Sequence, residues 1–216
     1  MALPGIIKNI IPPSIVQQKI SVKGCILFTF DDGPDPKITP RVLDVLDEYG
    51  ARGLFFIPGI RIKKAPGLLK EIIDRKHGIG NHSLTHTSND SLSFTELIHE
   101  ITGCHDEIFS LTGITTAIYR PPKGITTPSL LLAAKRCKHR IMRWSLDVGE
   151  YGYMKNATPT ELAENFLKRV HDRAIVVSHD DKETTPEFLK QVLPKMIDSG
   201  FDLKAGLASS GWTHGT

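Results

Sequence analysis

Two adjacent carboxylates, Asp31 and Asp32, close an apolar run in "LFTFDDGPDP" and pass at once into a Gly-Pro turn. Like charges side by side repel, and one of such a pair is expected to have its pKa raised, so a strand ending in two of them points to a cation or a reaction. Further on, "HSLTH" spaces His82 and His86 four residues apart. On one helical turn both rings would face the same side and could grip one cation. Ser83 stands where an HExxH metalloprotease carries its glutamate, so that chemistry is set aside. With one aspartate added, the set becomes two histidines and a carboxylate, a catalytic zinc type that leaves positions open for water. The other carboxylate can then serve as general base on a water that the cation has acidified. Arg120 is followed by Pro121 and Pro122, which stiffen the chain and fix its direction, although an ordinary turn with a surface arginine has the same pattern. His179 in "VVSHD" reads equally as a buried, hydrogen-bonded histidine or as a general acid.

The elements that must position these residues alternate. Short apolar runs, "GCILFTF" (24–30), "RGLFFI", "HGIGNHS", "TAIYR", "RIMRWSLD", "AIVVSH" and "FDLKA", predict seven strands. Between them, helical spacing of apolar residues predicts helices over 38–50, 66–76, 93–113, about 127–137, about 160–170 and about 186–199. In the longest, Ser93 and Glu96 form a capping-box pattern, and Phe94, Leu97, Ile101, Cys104 and Ile108 form the apolar stripe. Strands alternating with helices mean parallel strands with crossovers, either a barrel or an open doubly wound sheet. Asp31 and Asp32, His82 and His86, Arg120, Asp147 and Glu150, and His179 and Asp180 all fall at the C-terminal ends of predicted strands. In a parallel barrel those ends share the face where active sites are built.

Composition sets the outer bounds. The 216 residues suit one domain with a sizeable core, and 40% hydrophobic with 24% charged residues is ordinary for a globular chain. A formal net charge of +3, without a basic run, gives no case for nucleic acid as a partner. Cys25, Cys104 and Cys137 are far apart and lack CxxC spacing, so they read as small packing residues. The opening "MALPGIIKNIIPPSIV" is too short and too broken for a membrane span and makes a poor signal peptide. Residues 1–23 are expected to be a strap or leader before a catalytic domain at 24–216. The location is cytoplasmic if Met1 is the native start, and exported if a signal has been removed.

Five stretches in order, "TFDDGP" (29–34), "HSLTH" (82–86), "RPPKG" (120–124), "DVGEY" (147–151) and "VSHD" (177–180), resemble the motifs of the polysaccharide deacetylases, carbohydrate esterase family 4. The resemblance spans about residues 24–205. It implies an α/β fold, a distorted and incomplete (β/α)7-8 barrel, and metal-dependent removal of N-acetyl groups from a glycan containing N-acetylglucosamine. It implies Asp31 as base, Asp32, His82 and His86 as metal ligands, and His179 as the acid that protonates the leaving amine. Arg120 would orient Asp31, the carboxylate of the fourth motif would tune His179, and Glu150 and Asp147 both fall in the implied catalytic set. Arg120, Pro121, Pro122, Lys123, Tyr151 and Val177 would line the sugar site. The implied metal is Zn2+, with Co2+ or another divalent ion as alternatives. Glu150 replaces the family's second aspartate, Tyr151 its tryptophan, and Lys123 a common aromatic residue, so the glycan need not be the usual one. The competing readings are an O-acetyl esterase acting on a polysaccharide such as xylan, and a glycan-binding protein without turnover.

Overall fold

The computed structural model describes residues 15–212. Eight strands form one sheet: β1 (Val16–Gln17), β2 (Leu27–Asp31), β3 (Gly53–Ile57), β4 (Gly78–Asn81), β5 (Ile118–Tyr119), β6 (Arg140–Met142), β7 (Leu146–Asp147) and β8 (Ile175–His179). Their order is β1-β6-β5-β4-β3-β2-β8-β7, and every neighbouring pair is parallel. No pairing joins β1 to β7 among the described residues, so the sheet is a curled, incomplete α/β barrel rather than a closed one.

The helices are α1 (Thr39–Glu48), α2 (Gly59–Ile62), α3 (Pro66–Asp74), α4 (Phe94–Thr112), α5 (Pro128–Arg136), α6 (Pro159–Arg169), α7 (Thr184–Asp198) and α8 (Ala205–Ala208). The capping box predicted for α4 is formed: the Ser93 side chain accepts from the Glu96 N–H, and Glu96 reaches back to the Ser93 N–H. The helix stops at Gly113, whose φ of 72° suits a residue without a Cβ. None of the helices among the described residues is long and apolar enough to cross a membrane.

Alternation along the strands divides the core in two. Ile26, Phe28, Phe30, Phe55 and Val176 face outward and pack against helical residues such as Leu43, Phe166 and Phe188. Leu27, Leu54, Phe56, Ile118, Met142 and Ile175 face inward with Leu207 and fill the barrel. Thr29, Asp31, Val177 and His179 continue the inward rows of β2 and β8, since Thr29 pairs in register with Val177 and Asp31 with His179. The barrel is therefore apolar below and polar at its C-terminal rim.

Three expectations need correction. "RIMRWSLD" is not one strand. The Arg143 N–H bonds to Gln17 of β1, and two residues later the Ser145 N–H bonds to Ile175 of β8, so the chain leaves one side of the sheet and joins the other. Four residue steps, from Met142 to Leu146, span at most about 14 Å. The curl thus brings the two sides of the sheet close together, although they do not pair. Nor is "FDLKA" a strand. Asp202 makes a single parallel bridge to Cys25, and its carboxylate then accepts from the Lys204 and Ala205 N–H groups, turning the chain into α8. The third concerns "HSLTH", which is a loop rather than a helical turn, with Ser83 at φ 76° and His86 at φ 62°. Of the expected N-terminal segment 1–23, residues 1–14 lie outside the described residues, and Val16–Gln17 add β1 beside β6.

Candidate metal and catalytic centre

Asp31 is the last residue of β2, and Asp32 follows it at φ 70°, a left-handed backbone uncommon for a residue with a Cβ. The change of conformation turns the two neighbouring carboxylates to different partners. Oδ1 of Asp31 accepts from Nη1 of Arg120 at 2.8 Å. Oδ1 of Asp32 lies 3.0 Å from Nε2 of His86 and 3.5 Å from Nε2 of His82. Burial alone would raise the Asp32 pKa; the close polar contacts and charge of His82 and His86 outweigh it and hold the carboxyl well below the usual range. The close Asp32 carboxylate raises His86 in turn, against the effect of its burial.

His82 follows β4 directly. Its N–H bonds to the Ile57 carbonyl, and its Nδ1 lies 2.8 Å from the Arg120 carbonyl, which fixes the tautomer and leaves Nε2 free to ligate a cation. His86 reaches the same point because the intervening loop is held firmly. Asn81 accepts from the Ser83 N–H and donates to the Ile101 carbonyl in α4. Gly59 and Ile60 of α2 donate their N–H groups to the carbonyls of Ser83 and Leu84. Leu84 packs so closely on Gly59 and Gly103 that a Cβ at either would come within 3 Å of it. The result places one ligand-type atom each from Asp32, His82 and His86 within 4.8 Å of one another. Oδ1 of Asp32 is buried and makes no well-directed hydrogen bond. A converging two-His, one-Asp set with an unsatisfied buried oxygen and oriented imidazoles fits a divalent cation of zinc type.

Arg120 is fully buried. Its Nη1 also donates to Thr29 at 2.6 Å, while Nε and Nη2 reach the carbonyls of Met142 and Arg143, and the guanidinium lies 4.0 Å from the Phe56 ring centroid. Pro121 and Pro122 behind it are buried, and Lys123 stands exposed at φ 57°.

On the opposite side, Nδ1 of His179 lies 3.0 Å from Oε1 of Glu150, which also accepts from the Ser178 hydroxyl at 2.8 Å. Burial pulls the His179 pKa down. The bond and charge of Glu150, with Asp31 and Asp32 behind, prevail and raise it to about 9. Glu150 is thus the fourth-motif carboxylate that pairs with His179. Asp147 hydrogen-bonds elsewhere, its carboxylate accepting from the Gly149 N–H at 2.7 Å, and it acts on Glu150 and His179 through charge alone. The Tyr151 ring sits 4.4 Å from His179, and its hydroxyl donates to Asp181. Asp181 is paired in turn with Arg61 at 3.1 Å. Val177 is 2% exposed and forms part of the floor beneath His179 rather than an open surface.

Sequence reasoning missed the supports: Asn81, Glu100, Thr29, Arg61 and Asp181. Of these, Glu100 left a readable signal, a charged residue on the apolar face of α4 between Leu97 and Cys104.

The family model for polysaccharide deacetylase matches residues 18–142, more than half of the chain. The chain belongs to the polysaccharide deacetylase family. Among its relatives, the peptidoglycan-N-acetylglucosamine deacetylase PgdA of Listeria monocytogenes is 31% identical over 177 residues, covering 82% of this chain and 37% of that protein. A peptidoglycan-N-acetylglucosamine deacetylase of Bacillus cereus is 30% identical over 179 residues, covering 82% of this chain and 83% of the relative. The solved structure of peptidoglycan deacetylase PdaC from Bacillus subtilis superposes with a TM-score of 0.77 at 26% identity, covering 90% of this chain and 89% of that one. This polysaccharide deacetylase domain thus spans little more than a third of the Listeria protein but most of the Bacillus cereus one.

Proposed function

We propose that this chain hydrolyses N-acetyl groups from a glycan containing N-acetylglucosamine, with a divalent cation, Zn2+ foremost, held by Asp32, His82 and His86. The carrying observation is the convergence of those three ligand atoms between an arginine-bound aspartate and a glutamate-bound histidine. A bound cation supplies Lewis-acid polarisation of the acetyl carbonyl and a water acidified toward neutral pH. Asp31, oriented through one oxygen by Arg120, takes the proton of the attacking water with the other. His179, charged through its pairing with Glu150, gives a proton to the departing amine, without which an amide does not cleave. Tyr151 covers one side of the His179 ring, and Lys123 stands exposed on the loop after Arg120; both line the sugar site. Relatives named for peptidoglycan N-acetylglucosamine support a cell-wall glycan as substrate.

The test is acetate release from peptidoglycan fragments, chitooligosaccharides and acetylated xylan by protein stripped of metal and reloaded with zinc or cobalt. Release from an N-acetylated glycan, abolished by the chelator and restored by the ion, is the expected result. Release from xylan alone would replace the amidase reading with the esterase one. Glycan binding without release on any substrate would make this a binding protein.

A further inference from the structure

We propose that Glu100 is a positioning residue for the cation site, holding the loop between the two histidines in the conformation that brings His86 to Asp32. The inference rests on the reading that Asp32, His82 and His86 bind a divalent cation.

Glu100 lies on the buried side of α4 and is 6% exposed. All of its side-chain hydrogen bonds go to residues between the histidines. Oε2 accepts from the Ser83 hydroxyl in a short contact and from the Thr85 N–H at 2.9 Å. Oε1 accepts from the Thr85 hydroxyl at 2.8 Å. The loop needs such restraint, because Ser83 and His86 both occupy left-handed backbone that residues with a Cβ avoid. Conformations of this kind persist only where the surroundings over-determine them.

The supports divide along the loop. His82 is fixed on its own account by the Ile57 and Arg120 carbonyls, and Asn81, Gly59 and Ile60 secure the stretch as far as Leu84. Thr85, the residue that turns the chain into His86, is held by Glu100 at both its N–H and its hydroxyl; its hydroxyl also lies 2.7 Å from that of Thr87, just past His86, so Glu100 is its one partner among the described residues from another element of the fold. His86 itself is restrained at its ring by Asp32. Losing Glu100 should therefore release His86 while leaving His82 in place, which removes one of three ligands from the preformed set.

The experiment titrates zinc into metal-free protein against a chromophoric chelator, with circular dichroism and thermal unfolding recorded on the same metal-free samples. Glu100→Gln, nearly the same shape, should keep the fold and weaken zinc binding by about 10- to 100-fold, the usual effect of losing a partner behind a metal ligand. Thr85→Val removes one hydroxyl and keeps the N–H, and should weaken binding by a smaller factor. A merely structural Glu100 would lower the unfolding temperature without changing zinc affinity. Folded Glu100→Gln and Thr85→Val proteins that bind zinc as tightly as the unaltered chain would overturn the inference. If Glu100→Gln does not fold, the Thr85→Val titration decides alone. An unaltered protein that binds neither zinc nor cobalt would overturn the cation reading, and this inference with it.

Discussion

Arg120 and Asp31 form an ion pair at 2.8 Å in which the arginine is fully buried and the aspartate is 4% exposed. Such a pair is weak evidence of stability as a whole, but removing one partner strands the other charge out of water. The Arg120 Nη1 of that pair also donates to Thr29, and the remaining nitrogens reach two backbone carbonyls. Arg120→Ala should destabilise the fold by roughly 3–5 kcal/mol, read from urea unfolding. Arg120→Lys should recover little of this, because a single ammonium cannot reproduce the planar fork. Unfolding midpoints within experimental error of the unaltered protein would contradict the proposed burden on this pair.

The neighbouring aspartates should separate by role. Asp31→Asn leaves the three converging ligand atoms intact, so zinc affinity should stay near that of the unaltered protein while turnover is largely lost. Asp32→Asn removes one of the three proposed ligands, so affinity itself should fall, with partial recovery of rate at excess zinc. Competition titration and initial rates on the same preparations give both quantities. Equal loss of zinc in the two variants would show that the two carboxylates do not divide the roles in this way.

Glu150 should set the protonation of His179. With the His179 pKa raised from 6.5 to about 9, the charged pair stabilises the fold fully below pH 6.5, and that contribution is lost as pH rises through 9. In metal-free protein, the stability advantage over Glu150→Gln should be largest near about pH 6 and shrink steadily toward about pH 9.5. The His179 ring resonances should move their midpoint from about 9 back toward 6.5 in Glu150→Gln. An unchanged midpoint would remove Glu150 from that role.

The parts legible in the sequence were those that act over a few residues. Asp31 and Asp32, His82 and His86, and His179 sit in short contiguous motifs at strand ends, and a parallel sheet necessarily gathers those ends on one face. Helical periods placed α1, α3, α4, α5, α6 and α7 within about two residues, the usual tolerance for element ends. The illegible parts depend on partners distant in the chain. Nothing local in "RIMRWSLD" tells that Arg143 bonds to β1 and Ser145 to β8. The four-residue spacing of His82 and His86 suggested a helical turn, whereas tertiary hydrogen bonds impose two left-handed residues instead. Both Asp147 and Glu150 are acids of one short motif, and only tertiary structure shows that the turn at Gly149 directs one to the backbone and the other to His179.

Lys123 carries the last expectation. A developing oxyanion needs a donor besides the cation, and Pro121 and Pro122 have no N–H to offer. The first amide after them is that of Lys123, and its N–H has no partner among the described residues. Its φ of 57° rules out proline as a probe, since proline is confined near −65° and would rebuild the loop. Lys123→Gly suits the left-handed backbone and keeps the amide, so it should alter KM through loss of the side chain and leave kcat largely intact. Replacing the amide N–H of residue 123 by an ester oxygen, through semisynthesis, removes the donor alone. That protein should fold, bind zinc normally and lose roughly 10²- to 10³-fold in kcat, the usual size of one oxyanion-hole contact. A zinc-loaded ester variant with unimpaired kcat would place the donor elsewhere on the rim.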